Sequence, residues 1–180
     1  MRLLTFALEG QPRLGALVED QVIDLAAAQM ARSSMLVNGQ DMRELIDAGP
    51  EAWLALSDFL ADGEFGPSNY PLVNVTLAAP ISNPSKVIAI GLNYFDHVAE
   101  RGEMPPENPA VFAKFPNALI GPNADIRWDP ATASDIDCEG ELAIVIGRRA
   151  YRVSADNAYD YIFGYTIASD VTARDLQVAN

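Results

Sequence analysis

The feature that most constrains this chain is Asp137-Cys138-Glu139-Gly140-Glu141 running straight into Leu142-Ala143-Ile144-Val145-Ile146-Gly147. The second half is short, rich in β-branched residues and closed by glycine, which predicts a strand entering a core. Extended backward, the strand's period of two puts Asp137, Glu139 and Glu141 on one face. Carboxylates stacked in this way repel. Two that share a site keep one protonated unless a cation lies between them. An all-oxygen set suits a hard divalent ion such as Mg²⁺, Mn²⁺ or Ca²⁺. The competing reading is a solvated strand end, where acids are common and cost little.

Charge and length narrow the classes open to the chain. A length of 180 residues fits one domain, or one with a small appendage. The net charge of −13 argues against nucleic acid and against anionic membrane surfaces as partners. An anionic substrate must then be drawn in by a local positive feature, which a bound divalent ion would supply. No apolar run approaches the roughly 20 residues of a membrane helix. Met1–Leu8 is too short, and lacks the cleavage pattern, for a secretory signal. The one cysteine, Cys138, excludes an internal disulfide and fits a reducing cytoplasm.

Along the chain, Arg2–Leu8, Arg13–Glu19 and Gln21–Leu25 read as short strands, turned at Gly10-Gln11-Pro12 and Glu19-Asp20-Gln21. A short helix is expected over Ala26–Arg32 and a loop over Ser33–Gly39. Asp41–Ala48 and Glu51–Leu60 have helical spacing, with Pro50 suited to a first turn. Gly63, Gly66, Pro67 and Pro71 mark a linker, placing a boundary near residue 75. Residues 1–75 then form a small N-terminal α/β domain, whose acids are expected to solvate surfaces. Residues 76–180 carry the chemistry.

In that second part, Lys86–Gly91 is a strand that delivers Tyr94, His97 and Glu100 (or Arg101) at spacings of three or four, on one side of a helix or turn. His97 is the only histidine. A carboxylate three residues on can orient its ring and raise its basicity, as a water-activating base requires. A surface histidine beside a helix acid is the alternative. Gly102–Pro109 is a proline-rich acidic loop with the composition of a lid. Ala110–Lys114 is a strand, Asn117–Ile126 loop and strand, and Asp156–Tyr161 a helix capped by Ser154. Ile162–Ser169 is a strand that ends on Asp170, a natural third ligand beside Glu139 and Glu141. Arg174 can clamp a carboxylate bidentately, and Gln177 can donate to a carbonyl.

Taken jointly and in order, these motifs resemble the fumarylacetoacetate hydrolase family: Gly91-Leu92-Asn93-Tyr94 with His97 and Glu100, Phe112-Ala113-Lys114, Asp137-Cys138-Glu139-Gly140-Glu141-Leu142 through Ile146-Gly147-Arg148, and Gly164-Tyr165-Thr166 through Asp170-Val171-Thr172-Ala173-Arg174-Asp175-Leu176-Gln177. The resemblance implies an α+β, β-rich fold, a mixed β-roll with several sheets around the site. It implies a divalent ion, usually Mg²⁺, on Glu139, Glu141 and Asp170, and a homodimer. His97 and Glu100 would be the catalytic pair. Arg174, Gln177, Tyr94 and Lys114 would contact substrate. Asp137 and Asp96 are not carried over as ligands. Members act on 2-oxo acids. The expected reaction is hydrolysis of a carbon–carbon bond in an acylpyruvate-type acid through a metal-stabilised enolate. The alternatives are an oxaloacetate-type decarboxylase or tautomerase, an isomerase of unsaturated 2-oxo diacids, or a non-catalytic metal-binding module. The family continues well past the position of Gln177, so the β-roll here is expected to be incomplete.

Overall fold

The computed structural model describes residues 1–33, 36, 41–100 and 102–179, with side chains through Gln177. Most of the loop expected over Ser33–Gly39, and Arg101, lie outside the described residues.

The N-terminal strands β1 (Leu3–Leu8), β2 (Gln11–Val18) and β3 (Gln21–Asp24) form the expected antiparallel meander. Its first turn is tighter than the sequence suggests. Glu9 (φ 51°) and Gly10 (φ 77°) make a two-residue turn, and Gln11 and Pro12 already belong to β2. Left-handed backbone at both central positions matches the twist of the flanking strands. Pro12 opposes Ala7 and lies beyond the last β3 pair, Asp24 with Gly15, so its missing N–H leaves no gap.

Two short strands complete this sheet, β4 (Asn69–Pro71) and β5 (Thr76–Leu77), in the order β4-β3-β2-β1-β5. The stretch read as linker thus contains an edge strand. An edge tolerates Pro71 because its outer side needs no donor. Helix α1 (Leu25–Ala31) starts on Asp24, which accepts from the Ala27 N–H at 3.2 Å, and α2 (Met42–Ala48) starts on Asp41, which accepts from Arg43 at 2.8 Å. Helix α3 (Pro50–Ala61) opens with its proline. The helices bury Leu25, Leu45, Leu56 and Phe59 against Leu14, Ala16 and Ile23 of the sheet. Each large side chain so buried is worth about 1.5–3 kcal/mol. One acid departs from the solvated expectation: Asp24 is buried, capping α1 and paired with Arg13.

The second part is two antiparallel pairs. Strand β6 (Val87–Gly91) pairs with β7 (Ala110–Lys114), and β8 (Ile136–Ile146) with β9 (Ile162–Ala173). Helix α4 (Phe95–Glu100) follows β6, and α5 (Arg174–Ala179) follows β9. Residues 102–109 form a largely exposed connection from α4 to β7. Three expectations change. Residues 117–126 contain no strand, only the end of a 3₁₀ turn at Pro116–Ala118, because Pro116, Gly121 and Pro122 interrupt any ladder. Ala155–Tyr161 is 3₁₀ rather than α, with no side-chain cap from Ser154, since Asp156, Asn157 and Asp160 compete for the backbone. Strand β9 does not stop at Asp170. The β-branched Val171 and Thr172 carry it on to Ala173.

The hairpin β8–β9 rests on the N-terminal helices through its turn end. Trp53 of α3 donates from Nε1 to the Leu45 carbonyl at 2.8 Å and meets Phe163 edge-on, ring centroids 4.8 Å apart. Gly147 is buried beside them, where a Cβ would lie 2.7 Å from Trp53 Cη2. The outer face of the hairpin leaves Leu142, Ile144, Ile146, Tyr165 and Ile167 exposed. The whole is α+β and β-rich. Among the described residues, no helix is long and apolar enough to cross a membrane.

Candidate metal centre

Hairpin register builds the site. Glu139 stands directly opposite Asp170, and Glu141 opposite Ala168. Cross-strand partners share a face, as do residues two apart, so all three acids project from one side. One carboxylate oxygen from each of Glu139, Glu141 and Asp170 lies within 4.8 Å of the others. The three positions chosen from sequence therefore converge, with Asp170 mid-strand rather than at a strand end.

Two of the three acids meet cations. Lys114, at the end of β7, forms an ion pair with Asp170, whose side chain is only 8% exposed. Arg174 Nη2 donates to Glu139 Oε1. Among the described residues, no hydrogen bond or ion pair reaches the Glu141 side chain. Partial burial raises the Glu141 pKa above the usual carboxylate value, the charges of Asp170 and Glu139 add to this, and Lys114 opposes it. Three hard anionic oxygens, one of them with no cation in direct contact among the described residues, fit a divalent ion such as Mg²⁺ or Mn²⁺.

Arg174 does clamp a carboxylate, but the carboxylate is Asp137. Nε and Nη2 donate to Asp137 Oδ2 at 3.0 and 2.7 Å, and Nη1 donates to Gln177 Oε1 at 3.0 Å. The Arg174 hydrogen bonds hold the Asp137 carboxyl below its usual pKa. The Cys138 N–H, at 2.8 Å, acts in the same direction, and the charge of His97 adds to it. The same bonds to Asp137 strengthen the hold of Arg174 on its proton. Nearby, Asp175 Oδ2 accepts from the N–H and Oγ–H of Ser134 at 2.8 and 2.9 Å, and the Arg174 N–H donates to the Asp135 carbonyl at 2.8 Å. The approach to β8 is thus stitched to the start of α5.

Helix α4 is brought to the same hairpin. The chain leaves β6 through Leu92, whose backbone is left-handed (φ 54°), and Tyr94 Oη then accepts from the Leu142 N–H at 3.0 Å, next to Glu141. His97 is half-buried and its backbone N–H donates to Asp96 Oδ1 at 2.9 Å. Glu100 is exposed. Among the described residues, no hydrogen bond or ion pair joins the His97 and Glu100 side chains. Asp137, as the partner of Arg174, is the residue that sequence reasoning missed. Strand alternation already put it on the face of Glu139. Its proximity to Arg174 depends on the hairpin register, which pairs Asp137 with Thr172.

Comparison with known proteins follows the same lines. The family described as fumarylacetoacetate (FAA) hydrolase C-terminal matches residues 86–180. Oxaloacetate tautomerase YisK of Bacillus subtilis is 37% identical over 187 residues, 98% of this chain and 62% of that protein. The solved structure of a fumarylacetoacetate hydrolase from Exiguobacterium antarcticum superposes with a TM-score of 0.75 at 30% identity, covering 99% of this chain and 58% of that one. A maleylpyruvate hydrolase from Sphingobium, solved with manganese(II) and pyruvate, gives a TM-score of 0.72 at 26% identity, covering 97% of this chain and 60% of that one. The chain thus spans roughly three fifths of the length of these proteins. With its sheet-rich fold, its convergent acids and a family match over its second half, the chain belongs to the fumarylacetoacetate hydrolase family.

Proposed function

We propose that this chain supplies the metal-binding part of an enzyme that hydrolyses a carbon–carbon bond in an acylpyruvate-type 2-oxo acid. The observation that carries this reading is the convergence of Glu139, Glu141 and Asp170 within 4.8 Å on the hairpin that leads directly into α5, which carries Arg174 and Gln177. The manganese and pyruvate in the Sphingobium hydrolase support both the ion and the acid class.

Glu139, Glu141 and Asp170 would hold a divalent ion, Mg²⁺ or Mn²⁺ by donor type, and that ion would supply Lewis-acid stabilisation of the charge that develops on the 2-oxo group. The chain's own residues do the rest. Arg174 and Gln177 donate N–H groups to the substrate, fixing its orientation. Lys114 sits within the same cluster and balances negative charge there. Tyr94, tied to Leu142, fixes where α4 approaches the site. His97 takes the proton of the attacking water. Glu100 lies three residues on along α4, a spacing at which the two side chains meet by rotamer change.

A second reading is favoured by the Bacillus relative, named an oxaloacetate tautomerase. The same groups would then shift a proton between C3 and the 2-oxo oxygen, breaking the C3–H bond and forming the enol O–H, with no carbon–carbon bond cleaved. Both readings include a homodimer, which light scattering would test. The deciding assay offers the protein a panel of acylpyruvates and oxaloacetate, with and without chelator. Cleavage of an acylpyruvate that stops on chelation supports the first reading. Enolisation of oxaloacetate alone supports the second. A protein that binds Mn²⁺ but turns over nothing overturns both and leaves a binding module.

A further inference from the structure

The guanidinium of Arg174 has five N–H donors in a rigid fork. Four are committed: Nε–H and one Nη2–H to Asp137, the other Nη2–H to Glu139, and one Nη1–H to Gln177. One Nη1–H is left. The same contact dictates the orientation of Gln177. An arginine N–H must meet the amide oxygen, so the two N–H groups of Nε2 point elsewhere, and among the described residues nothing accepts from them. Three adjacent donors, one from Arg174 and two from Gln177, are therefore held ready beside the acid cluster.

Asp137 sets this arrangement, from a half-exposed position on the strand that carries Glu139 and Glu141. It takes the Nε edge of Arg174 and balances its charge. Arg174 already gives Glu139 one N–H; without the Asp137 anchor, Glu139 is its one anionic side-chain partner among the described residues, and the freed donors would turn onto it. That movement would add a further N–H to a ligand carboxylate and swing Nη1 away from Gln177, freeing the amide to flip. We infer that Asp137 is a positioning residue: it limits Arg174 to a single N–H on the metal ligands, the one on Glu139, and aims the remaining Arg174 and Gln177 N–H groups at the carboxylate of a bound 2-oxo acid. This rests on the metal and 2-oxo acid reading proposed above and adds to it the residue that limits how far the anion-binding arginine reaches into the ion's site.

The test uses the full chain, calorimetry and two probes, Mn²⁺ alone and then pyruvate added to the Mn²⁺-loaded protein. Groups one step outside a metal's ligands change its affinity by roughly 10- to 100-fold when altered, and Asp137→Asn should weaken Mn²⁺ binding by about tenfold and pyruvate binding by at least as much. The double variant Asp137→Asn/Arg174→Gln should regain Mn²⁺ affinity, because the competing cation is gone, yet still bind pyruvate poorly. Asp137→Glu, which keeps the charge, should retain most of both affinities. A merely structural loss would not be reversed for one probe by a second substitution. Wild-type affinities in Asp137→Asn, or a double variant no better for Mn²⁺ than the single one, overturns the inference. A wild-type chain that binds no Mn²⁺ overturns the metal reading itself, and the inference with it.

Discussion

Among the described residues, Glu141 is the acid of the cluster with no hydrogen-bond or ion-pair partner, so replacing it with glutamine should move stability and metal affinity in opposite directions. Without an ion, Glu141 faces Glu139 and Asp170 with ligand oxygens within 4.8 Å, and in a water-like dielectric each like-charge pair at that distance costs about 0.9 kcal/mol. Lys114 on Asp170 and Arg174 on Glu139 offset part of this, so Glu141→Gln should stabilise the ion-free protein by about 0.5–1 kcal/mol. With an ion the sign reverses. A carboxylate oxygen about 2.1–2.6 Å from a divalent ion interacts by about 3–4 kcal/mol even at water-like dielectric. Hydration lost by the ion returns some of that, leaving about 2–3 kcal/mol, or roughly 30- to 150-fold weaker binding. Urea denaturation in chelator reads the first effect, and Mn²⁺ calorimetry the second. If Glu141→Gln is less stable than wild type in chelator, the repulsion argument fails. If its Mn²⁺ affinity is unchanged, Glu141 is not a ligand.

Three further outcomes are expected. Lys114→Met removes the partner of the nearly buried Asp170 and should cost about 1–3 kcal/mol in chelator, a gap that saturating Mn²⁺ narrows; an equal gap with and without Mn²⁺ in denaturation curves would count against a shared site. Gly147→Ala places a Cβ 2.7 Å from Trp53 and 2.9 Å from Phe163 Cβ, so overpacking should lower stability by about 1–3 kcal/mol and shift tryptophan emission, whereas an unchanged melting temperature and spectrum would show the junction to be loose. Asp175 has its pKa lowered by the Ser134 N–H and hydroxyl, so its contribution is present above the ordinary carboxylate value and is lost as pH falls through the lowered one. The stability gap between wild type and Asp175→Asn should accordingly close on acidification, as unfolding curves across a pH series would show; a gap that widens toward acid would reverse the assignment.

Local patterns carried much of the fold and the acid cluster. The meander, the three N-terminal helices and the strands β6, β7 and β8 follow from period, caps and glycine closure, because these signals act within a few residues. The failures are also local, at places where another constraint won. Asn69–Pro71 became an edge strand because β3 offered a free edge, and residues 155–161 became 3₁₀ because short polar side chains compete for backbone hydrogen bonds.

The sequence by itself determined the chemical kind of this site: alternation on one strand puts Glu139 and Glu141 on one face, and a family of motifs in fixed order names the rest. Only the tertiary structure decided which charges meet. Asp137 and Arg174 are 37 residues apart, and Lys114 and Asp170 come from different sheets. Side-chain period is a property of one strand, but the Asp137–Arg174 pair needs β8 and β9 at a particular register, which hydrogen bonding across the whole hairpin fixes, and the Lys114–Asp170 pair needs two separate sheets brought together.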